Sequence, residues 1–562
     1  MEKDKLGVVL LSLVKDYLRS LKLDNRILQD VYLEFPSQKE YGDLSLNISL
    51  KLSKIFKKPS QQIADSIVNY LNSKIKDTIL KKYIASIQIA AGGFINFFLS
   101  EDYFRGVLKQ ALKLGDNFSR INVGRKRRVL IEFVSANPTG PLSVAHARQA
   151  AVGDALGNIL KFLGFDLKRE YYLNDEGNQI NLLGRSIEAR IRQLKGESIE
   201  LPEGGYEGEY ILNIARDMLK EKLLSDYIQE ILPHAFGDRL EFFSDYGVKY
   251  ILKIIKKELQ DCGIEFDSWY SQKELTASGK IKMALDRLKK KDFIYEKDAA
   301  LWFKSTAFAD DKDRVVVKND GSYTYLAPDI AYHNDKYKRG FNWLINIWGP
   351  DHHGYISRLK AAVQALGEPP ESLSIIIVQL ATILKDAKPL PMSTRKGQYI
   401  TLREILNEVG SDASRFFFLM RRTSAHLNFD LELAKRQTPD NPVYYVQYAH
   451  ARISSIMRNL GFKSKILSAD LNLLREAEEL RLMKRIWQFP RVLETCYKSL
   501  DPYFVTIYLQ EAAEDFHRFY DRHRVLGEDK ELTQARVALI SAIRMIINRG
   551  LKLLGISTPE TM

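Results

Sequence analysis

A strand, a polar loop and a helix follow one another in residues 129–164. The strand reads VLIEFV, the loop reads SANPTGPL, and a helical pattern of about five turns resumes at His146. In an open α/β sheet such a unit aims the free N–H groups of the helix N-terminus at the crevice where phosphates bind. The loop adds the hydrogen-bonding side chains of Asn137, Thr139 and Ser143. These residue types, in this order, predict a nucleotide site.

A carboxylate interrupts the apolar strand of this unit. Glu132 lies inside VLIEFV, where a side chain sits close to a buried surface. Because burying an unpaired charge is costly, we expect something cationic to meet Glu132. An ordinary charge on an edge strand is the simpler alternative.

A second polar segment, WGPDHHG at 348–354, also follows a strand and opens a helix. Two adjacent histidines cannot both face one site on a regular element, and no further ligand is near in sequence, so we expect no metal site. We expect either His352 or Asp351 to line a substrate pocket and the other to orient the loop.

The length and the net charge of the chain limit the classes of protein to which it can belong. A chain of 562 residues suggests roughly three to four domains. Lys and Arg number 84 against 71 Asp and Glu, and the resulting net charge of +13 favours a polyanionic partner. Cys262 and Cys496 are too few and too far apart for a disulfide framework or a zinc site. They indicate a reduced, cytoplasmic protein.

The N-terminus and the apolar runs bear on membrane association. Apolar residues from Leu6 to Leu21 keep helical spacing, and acidic residues precede them, so this segment predicts an amphipathic helix rather than a signal peptide. No apolar run reaches the roughly 18 to 20 residues that a membrane span needs. We therefore expect a soluble protein without a membrane partner.

Alternating patterns divide the chain into three parts. Residues 1–115 predict a small α+β domain, and 120–400 predict a Rossmann-like α/β domain with a parallel sheet and right-handed crossovers. Long charged helices predict an insertion at about 195–275. Strand-like runs at 300–304, 314–318, 341–348 and 374–380 are expected to complete the sheet. Strands are expected to stop near 402, leaving 401–562 as an all-α domain.

The segment SANPTGPLSVAHARQAAVGDAL at 135–156 resembles the signature region of arginyl-tRNA synthetases. In these class I enzymes a "HIGH" tetrapeptide follows a SANPTGPL-type loop. On that pattern HIGH is Ser143-Val144-Ala145-His146, so the first His and the Gly are replaced. The resemblance covers nearly the whole chain, and it implies an appended N-terminal tRNA-binding domain and a C-terminal helical anticodon-binding domain.

The resemblance also implies a second loop at the nucleotide. Adenylate formation needs positioning and positive charge rather than a covalent nucleophile. PMSTRKG at 391–397 resembles the class I "KMSKS" loop, with Pro391 where the first Lys would stand. The implied catalytic residues are Ser143, His146, Arg395 and Lys396. The implied ATP-binding residues are Thr139, Gly140, Ser143, Ala145, His146, Met392, Ser393 and Lys396.

Arginine selection needs carboxylates and planar partners, because a guanidinium presents five N–H donors in a fixed geometry. The resemblance assigns this role to Glu132, Asn137, Tyr325 and Asp329, and we add His352. Besides the alternative already given for Glu132, simpler alternatives exist for two others. Asn137 can be a turn former before Pro138, and Asp329 can be the N-cap of the helix that follows.

In the helical region Tyr444, Tyr448 and Arg452 could stack on unpaired tRNA bases, or the tyrosines could simply pack between helices. The resemblance implies an arginine–tRNA ligase that uses ATP with Mg²⁺ and takes L-arginine and tRNA(Arg). We expect it to act as a monomer. Two alternatives are a synthetase-like tRNA-binding protein that has lost arginine activation, and an ATP-dependent enzyme of this fold acting on another cation.

Overall fold

The structure is a computed structural model that describes residues 5–36, 38–76, 78–221, 238–386, 388–390, 399–459, 466–527 and 529–562. The predicted PMSTRKG loop, with Met392, Ser393, Arg395 and Lys396, lies outside the described residues. None of the helices within these ranges is long and apolar enough to cross a membrane.

The first unit combines helices with three strands. These are α1 (Lys5–Ser20), α2 (Asn25–Gln29), β1 (Leu44–Leu46), α3 (Ile48–Phe56), α4 (Ser60–Ile75), α5 (Leu80–Tyr83), β2 (Ile84–Ala90), β3 (Phe94–Leu99) and α6 (Glu101–Leu114). The strands form an antiparallel sheet of order β1-β3-β2. Helix α1 buries Leu10, Val14 and Leu18 completely, as its helical spacing predicts.

The second unit alternates strands and helices. It contains β4 (Arg128–Glu132), α7 (Val144–Phe162), β5 (Asp166–Leu173), α8 (Asn178–Leu194), α9 (Glu209–Lys220), α10 (Asp238–Asp261), β6 (Ser268–Ser271), α11 (Gln272–Ala277), α12 (Lys280–Lys289), β7 (Ile294–Lys297), β8 (Ala300–Phe303), β9 (Arg314–Val317), α13 (Leu326–Lys338), β10 (Trp343–Trp348), α14 (Ile356–Leu366), β11 (Leu373–Ile377), β12 (Ala381–Lys385) and β13 (Lys388–Pro389).

Five strands form one parallel sheet of order β11-β10-β4-β5-β6. Strand β4 is central, so the alternative that Glu132 is an edge-strand charge is wrong. Helix α7 packs tightly against the end of β4, because a Cβ on Gly153 would lie only 2.2 Å from the Phe133 ring. The predicted α/β class is confirmed.

Two expectations about strands are wrong. The runs at 300–304 and 314–318 do not complete the parallel sheet, because β7, β8 and β9 form an antiparallel sheet of their own. Conversely, β6 falls inside the stretch predicted to be helical and extends the parallel sheet from β5. Strand-like composition predicts a strand but does not identify its partner.

The third unit is mainly helical. It contains α15 (Leu402–Leu419), β14 (Leu427–Asp430), α16 (Leu431–Lys435), α17 (Pro442–Asn459), α18 (Ala477–Ser499), α19 (Tyr503–Arg522) and α20 (Lys530–Leu553). The expectation that strands stop near 402 is wrong, since β14 pairs in parallel with β12.

A buried arginine joins the second and third units. Arg415 on α15 is fully buried and forms an ion pair with Asp154 on α7. Its other N–H groups donate to the carbonyls of Cys262 at 3.0 Å and Leu554 at 2.8 Å. Asp154 also pairs with Arg169 on β5 at 3.1 Å. One side chain thus links α7, the end of α10 and the chain beyond α20.

Candidate active site

The chain turns sharply where β4 ends. Val134 has a φ of 68° and Ser135 a φ of 40°, and the Ser135 N–H donates to the Phe133 carbonyl at 3.0 Å. A γ-turn with positive φ at a β-branched residue is strained, at a cost of about 1 to 3 kcal/mol. The Ser135 hydroxyl stabilises the turn by donating to Glu132 Oε1 at 3.2 Å and accepting the Tyr172 N–H at 3.1 Å. This turn directs the following loop into the crevice beyond the strands.

Ser143 and His146 form one hydrogen-bonded unit at the start of α7. Ser143 is the N-cap, its N–H donates to His146 Nδ1 at 3.3 Å, and its hydroxyl lies 3.1 Å from the same nitrogen. Burial lowers the pKa of His146 to about 4, although Asp351 opposes the shift, so the ring is neutral at pH 7. Because Nδ1 accepts, the proton resides on Nε2. The ring therefore offers a neutral N–H donor at a helix N-terminus.

Side chains from other elements hold the loop that precedes α7. The Tyr210 hydroxyl donates to the Thr139 carbonyl at 2.8 Å, and the Tyr399 hydroxyl donates to the Pro141 carbonyl at 3.0 Å. Both tyrosines crowd Gly140, where an added Cβ would lie 3.2 to 3.3 Å from them. Helix α9 and the residues just after 398 therefore fix the shape of this loop.

Residues 400–402 run directly beside the N-terminus of α7. The Val144 N–H donates to the Ile400 carbonyl at 3.3 Å, and the Leu402 N–H donates to the Leu142 carbonyl at 2.7 Å. Ser143 and Thr401 form an isolated β-bridge. The residues that follow the predicted second nucleotide loop thus lie next to the first loop.

Polar residues cross the parallel sheet in a row. Asn346, Glu132 and Glu170 are register partners on β10, β4 and β5, and α13 covers them. Lys336 of α13 donates to Glu132 Oε2 at 2.5 Å, and Arg339 donates to both oxygens of Glu170 at 2.6 and 2.8 Å. The cation expected to meet Glu132 is therefore supplied by the chain itself.

Asp329 lies in the first turn of α13 and faces the same region. The Tyr355 hydroxyl donates to Asp329 Oδ2 at 2.7 Å. Burial raises the pKa of Asp329 to about 7, with a further upward contribution from Glu132; Tyr355 and Lys336 act against it. The N-cap of this helix is Tyr325. The alternative that Asp329 is the N-cap is therefore wrong, and one of its carboxylate oxygens remains for a ligand.

The other three residues assigned to arginine lie in more open positions. Asn137 Nδ2 donates to Gln179 at 2.6 Å. Tyr325 is 74% exposed, one helical turn before Asp329. The His352 side chain is also largely exposed, with Nε2 3.4 Å from Asp351 and the ring centroid 5.6 Å from that of Trp348. Among the described residues, no group of three His, Cys, Asp or Glu side chains is placed to hold a metal ion.

Sequence reasoning missed Tyr355 and Lys336. Tyr355 directly follows the predicted WGPDHHG segment, three residues beyond His352, and reaches Asp329 where the histidine does not. Lys336 follows Asp329 by seven residues, and Tyr332 lies between them on the same helix face, with Lys336 Nζ 4.0 Å from its ring centroid. The spacing i, i+3, i+7 was the signal that could have identified this face.

The third unit contains a cavity of about 790 Å³. Tyr448, Arg452, Tyr520 and His523 contribute to its wall, together with the last residues of the chain. The Arg452 guanidinium lies over the rings of Tyr448 and Tyr520, 4.9 and 4.3 Å from their centroids. Tyr444 is not part of the wall but stacks on Tyr448 at 6.0 Å. Two of the three predicted tRNA-contacting side chains therefore line one cationic, aromatic cavity.

A parallel sheet, a helix N-terminus with an altered HIGH tetrapeptide and an appended helical unit together define a class I aminoacyl-tRNA synthetase. Residues 9–99, 107–428 and 446–562 match three family models, "Arginyl tRNA synthetase N terminal domain", "tRNA synthetases class I (R), catalytic domain" and "DALR anticodon binding domain". The chain belongs to the arginyl-tRNA synthetase family.

Individual relatives agree over nearly the full length. An arginine–tRNA ligase of Citrifermentans bemidjiense is 46% identical over 536 residues, and one of Geobacillus kaustophilus is 47% identical over 539. In both cases the alignment covers 95% of each chain. The solved Thermus thermophilus arginyl-tRNA synthetase shares the fold, with a TM-score of 0.77, 19% identity and coverage of 99% of this chain and 100% of that one.

Proposed function

We propose that this chain attaches L-arginine to tRNA(Arg) in two steps. The arginine carboxylate attacks the α-phosphate of ATP, which forms arginyl-adenylate and releases pyrophosphate. A ribose hydroxyl at the 3′ end of the tRNA then attacks the adenylate carbonyl, which forms the ester and releases AMP. ATP enters with Mg²⁺, and the protein acts as a cytoplasmic monomer.

The position of Asp329 is the observation that carries this proposal. Asp329, in the first turn of α13, accepts a hydrogen bond through Oδ2, and no described residue donates to its other oxygen; it faces the same region as Glu132, and β4 leads from Glu132 directly into the loop that ends at Ser143. A guanidinium bound at Asp329 would hold the arginine carboxylate toward that loop. Proximity of this kind contributes much of the rate enhancement when no covalent nucleophile is used.

The residues around the nucleotide loop have complementary roles. His146 donates from Nε2 to a phosphate oxygen, and the Ser143 hydroxyl and N–H fix the ring orientation by sharing its Nδ1. Thr139, Gly140 and Ala145 shape the loop around the nucleotide. Because the imidazole is neutral, positive charge for the leaving pyrophosphate must come from elsewhere, and Arg395 and Lys396 supply it in this proposal.

The arginine side of the site is assigned in the same way. Asp329 and Glu132 provide the carboxylates, and Asn137, Tyr325 and His352 contact the substrate at the open side. Tyr448 and Arg452 receive an unstacked tRNA base in the cavity of the third unit, and Tyr444 supports Tyr448 from behind.

The test is aminoacylation of tRNA(Arg) with radiolabelled arginine by the full chain, with lysine and an unrelated tRNA as controls. We expect charging that requires ATP, arginine and the cognate tRNA. Tight tRNA binding without either charging or tRNA-dependent pyrophosphate exchange would instead establish the alternative of a synthetase-like protein without arginine activation. Charging with another cationic amino acid would refute the assignment of arginine.

A further inference from the structure

Lys336 has an environment that a lysine rarely occupies. Its side chain is 1% exposed, and its ammonium donates to Glu132 at 2.5 Å and to Asn346 Oδ1 at 3.4 Å. The Tyr332 ring lies against the ammonium, 4.0 Å away. A lysine that only supported the helix would extend toward water, since burying an ammonium is costly unless a charge requires it.

The charges in this region do not cancel when Asp329 is ionised. Glu132 and Asp329 contribute two negative charges, and Lys336 contributes one positive charge. We propose that Lys336 is a positioning residue of the arginine site: its ammonium offsets Glu132, favours the ionised form of Asp329, and leaves one net negative charge for a guanidinium once Asp329 is ionised. This inference rests on the proposed function, because it assumes that the ligand is arginine.

The groups that face Asp329 come from several elements. The two charged groups that act on it are Glu132 from β4, which raises its pKa, and Lys336 from its own helix, which lowers it. The Tyr355 hydroxyl, from the segment before α14, also lowers it. Tyr172 from β5 adds a buried phenol whose own pKa is raised mainly by burial and also by Asp329. His333 Nδ1 contacts only the Asp329 backbone carbonyl, at 2.8 Å.

Removal of the lysine charge should therefore shift the pH range in which arginine binds. In Lys336→Met the repulsion from Glu132 acts on Asp329 without a compensating cation, so Asp329 holds its proton to higher pH. Lys336 is the smallest of the four influences on the pKa of Asp329, so its loss should raise that pKa by less than the roughly 1 to 3 units that an adjacent opposite charge is worth. Arginine binding should be strongly weakened near pH 6 and recover as the pH rises.

Equilibrium dialysis of the full chain with radiolabelled arginine, from about pH 6 to about pH 9, measures this shift. The readout is the ratio of the Kd of Lys336→Met to that of the parent at each pH, because titration of arginine itself cancels in the ratio. We expect the ratio to fall several-fold across the range. A purely structural role predicts a ratio that stays constant, and that result would overturn the proposal.

Two control variants separate charge from packing. Lys336→Arg retains the charge and should keep the parental pH profile. Arg339→Met removes the neighbouring ion pair with the buried Glu170, which retains hydrogen bonds from Tyr332 at 2.8 Å and Ser268 at 2.7 Å. It should leave the pH dependence of arginine binding unchanged. A profile shift in Arg339→Met equal to that of Lys336→Met would mean that any lost buried pair produces the effect, and the proposal would be wrong.

A second variant keeps the question testable if Lys336→Met does not fold. In Glu132→Gln the ammonium of Lys336 remains and the repulsion is gone, so the inflection in arginine binding should move to lower pH than in the parent. An unmoved inflection would show that the three charges are uncoupled and would overturn the proposal. If the parent itself binds no arginine at any pH, the proposed function fails instead.

Discussion

Asp329→Asn isolates the carboxylate that we assign to the guanidinium. Asparagine retains the size of the side chain and can still accept the Tyr355 hydroxyl that is 2.7 Å from Oδ2 in the parent. What is lost is the negative charge and the second acceptor oxygen. The substitution should therefore lower the affinity for arginine and leave the stability of the fold nearly unchanged.

The expected magnitude depends on pH, because the raised pKa of Asp329 lies at about 7. With that value the carboxyl is ionised in about a tenth of molecules at pH 6 and about nine tenths at pH 8. A charge-assisted interaction with guanidinium is worth about 2 to 3 kcal/mol, which is about 30- to 150-fold in affinity. Near pH 8 the substitution should thus weaken arginine binding by about that factor. Near pH 6 the loss should be only about 3- to 15-fold, since the parent has already lost about tenfold.

Steady-state aminoacylation at several pH values, with the KM for arginine as the readout, measures this effect. The parent KM should fall as the pH rises through about 7 and then level off, whereas the variant should show no such step. Asp335→Asn is a matched control, because Asp335 lies on the same helix but pairs with Lys280 at 2.8 Å and Arg339 at 3.1 Å. A variant with parental KM above pH 8, or one that retains the step, would refute the assignment of Asp329.

Three further outcomes are expected from the sequence and the structure. Ser143→Ala should lower kcat/KM for ATP about tenfold, because one neutral hydrogen bond is worth about 1 kcal/mol, and His146→Ala should lower it far more; parental rates in both would place the nucleotide elsewhere. Pyrophosphate exchange should require tRNA, because a loop that lacks a lysine at Pro391 needs tRNA to hold it closed, so strong exchange with ATP and arginine alone would contradict this. Arg452→Ala should weaken tRNA(Arg) binding while leaving tRNA-independent arginine binding unchanged, as a filter-binding assay and dialysis can show.

The local patterns in the sequence predicted the order of elements better than their partners. β4, the loop and α7 follow from one apolar run, one Pro- and Gly-containing break and one helical period. The strands at 300–303 and 314–317 were predicted as strands but placed in the wrong sheet. Strand pairing depends on which chain segments meet in three dimensions. The sequence of a short apolar run predicts a strand but does not indicate which other strand it will pair with.

Single residues of the site also show that sequence patterns predict a side chain's need for a partner better than they identify the partner. Glu132 was recognised because a carboxylate in an apolar strand demands a partner, and the physical argument correctly required a cation. The partner is Lys336, more than two hundred positions away in sequence, and a lysine within a helix normally indicates a solvated face. Tyr355 was not predicted, because histidines are more typical of functional sites than tyrosine and two of them closely precede it in the chain. Neither histidine contacts Asp329 in the structure.

Helix α7 connects the proposed nucleotide site to the helical unit. Its N-terminus carries Ser143 and His146, and about two turns later Asp154 binds Arg415. Separation of the two units at this point would leave Asp154 paired with Arg169 alone and would uncover the carbonyls of Cys262 and Leu554. Breaking a buried ion pair of this kind costs about 3 to 5 kcal/mol. We therefore expect any rearrangement that tRNA induces in the helical unit to displace α7 together with Arg415 rather than to open the junction, which would connect the helical unit rigidly to the residues that we assign to ATP.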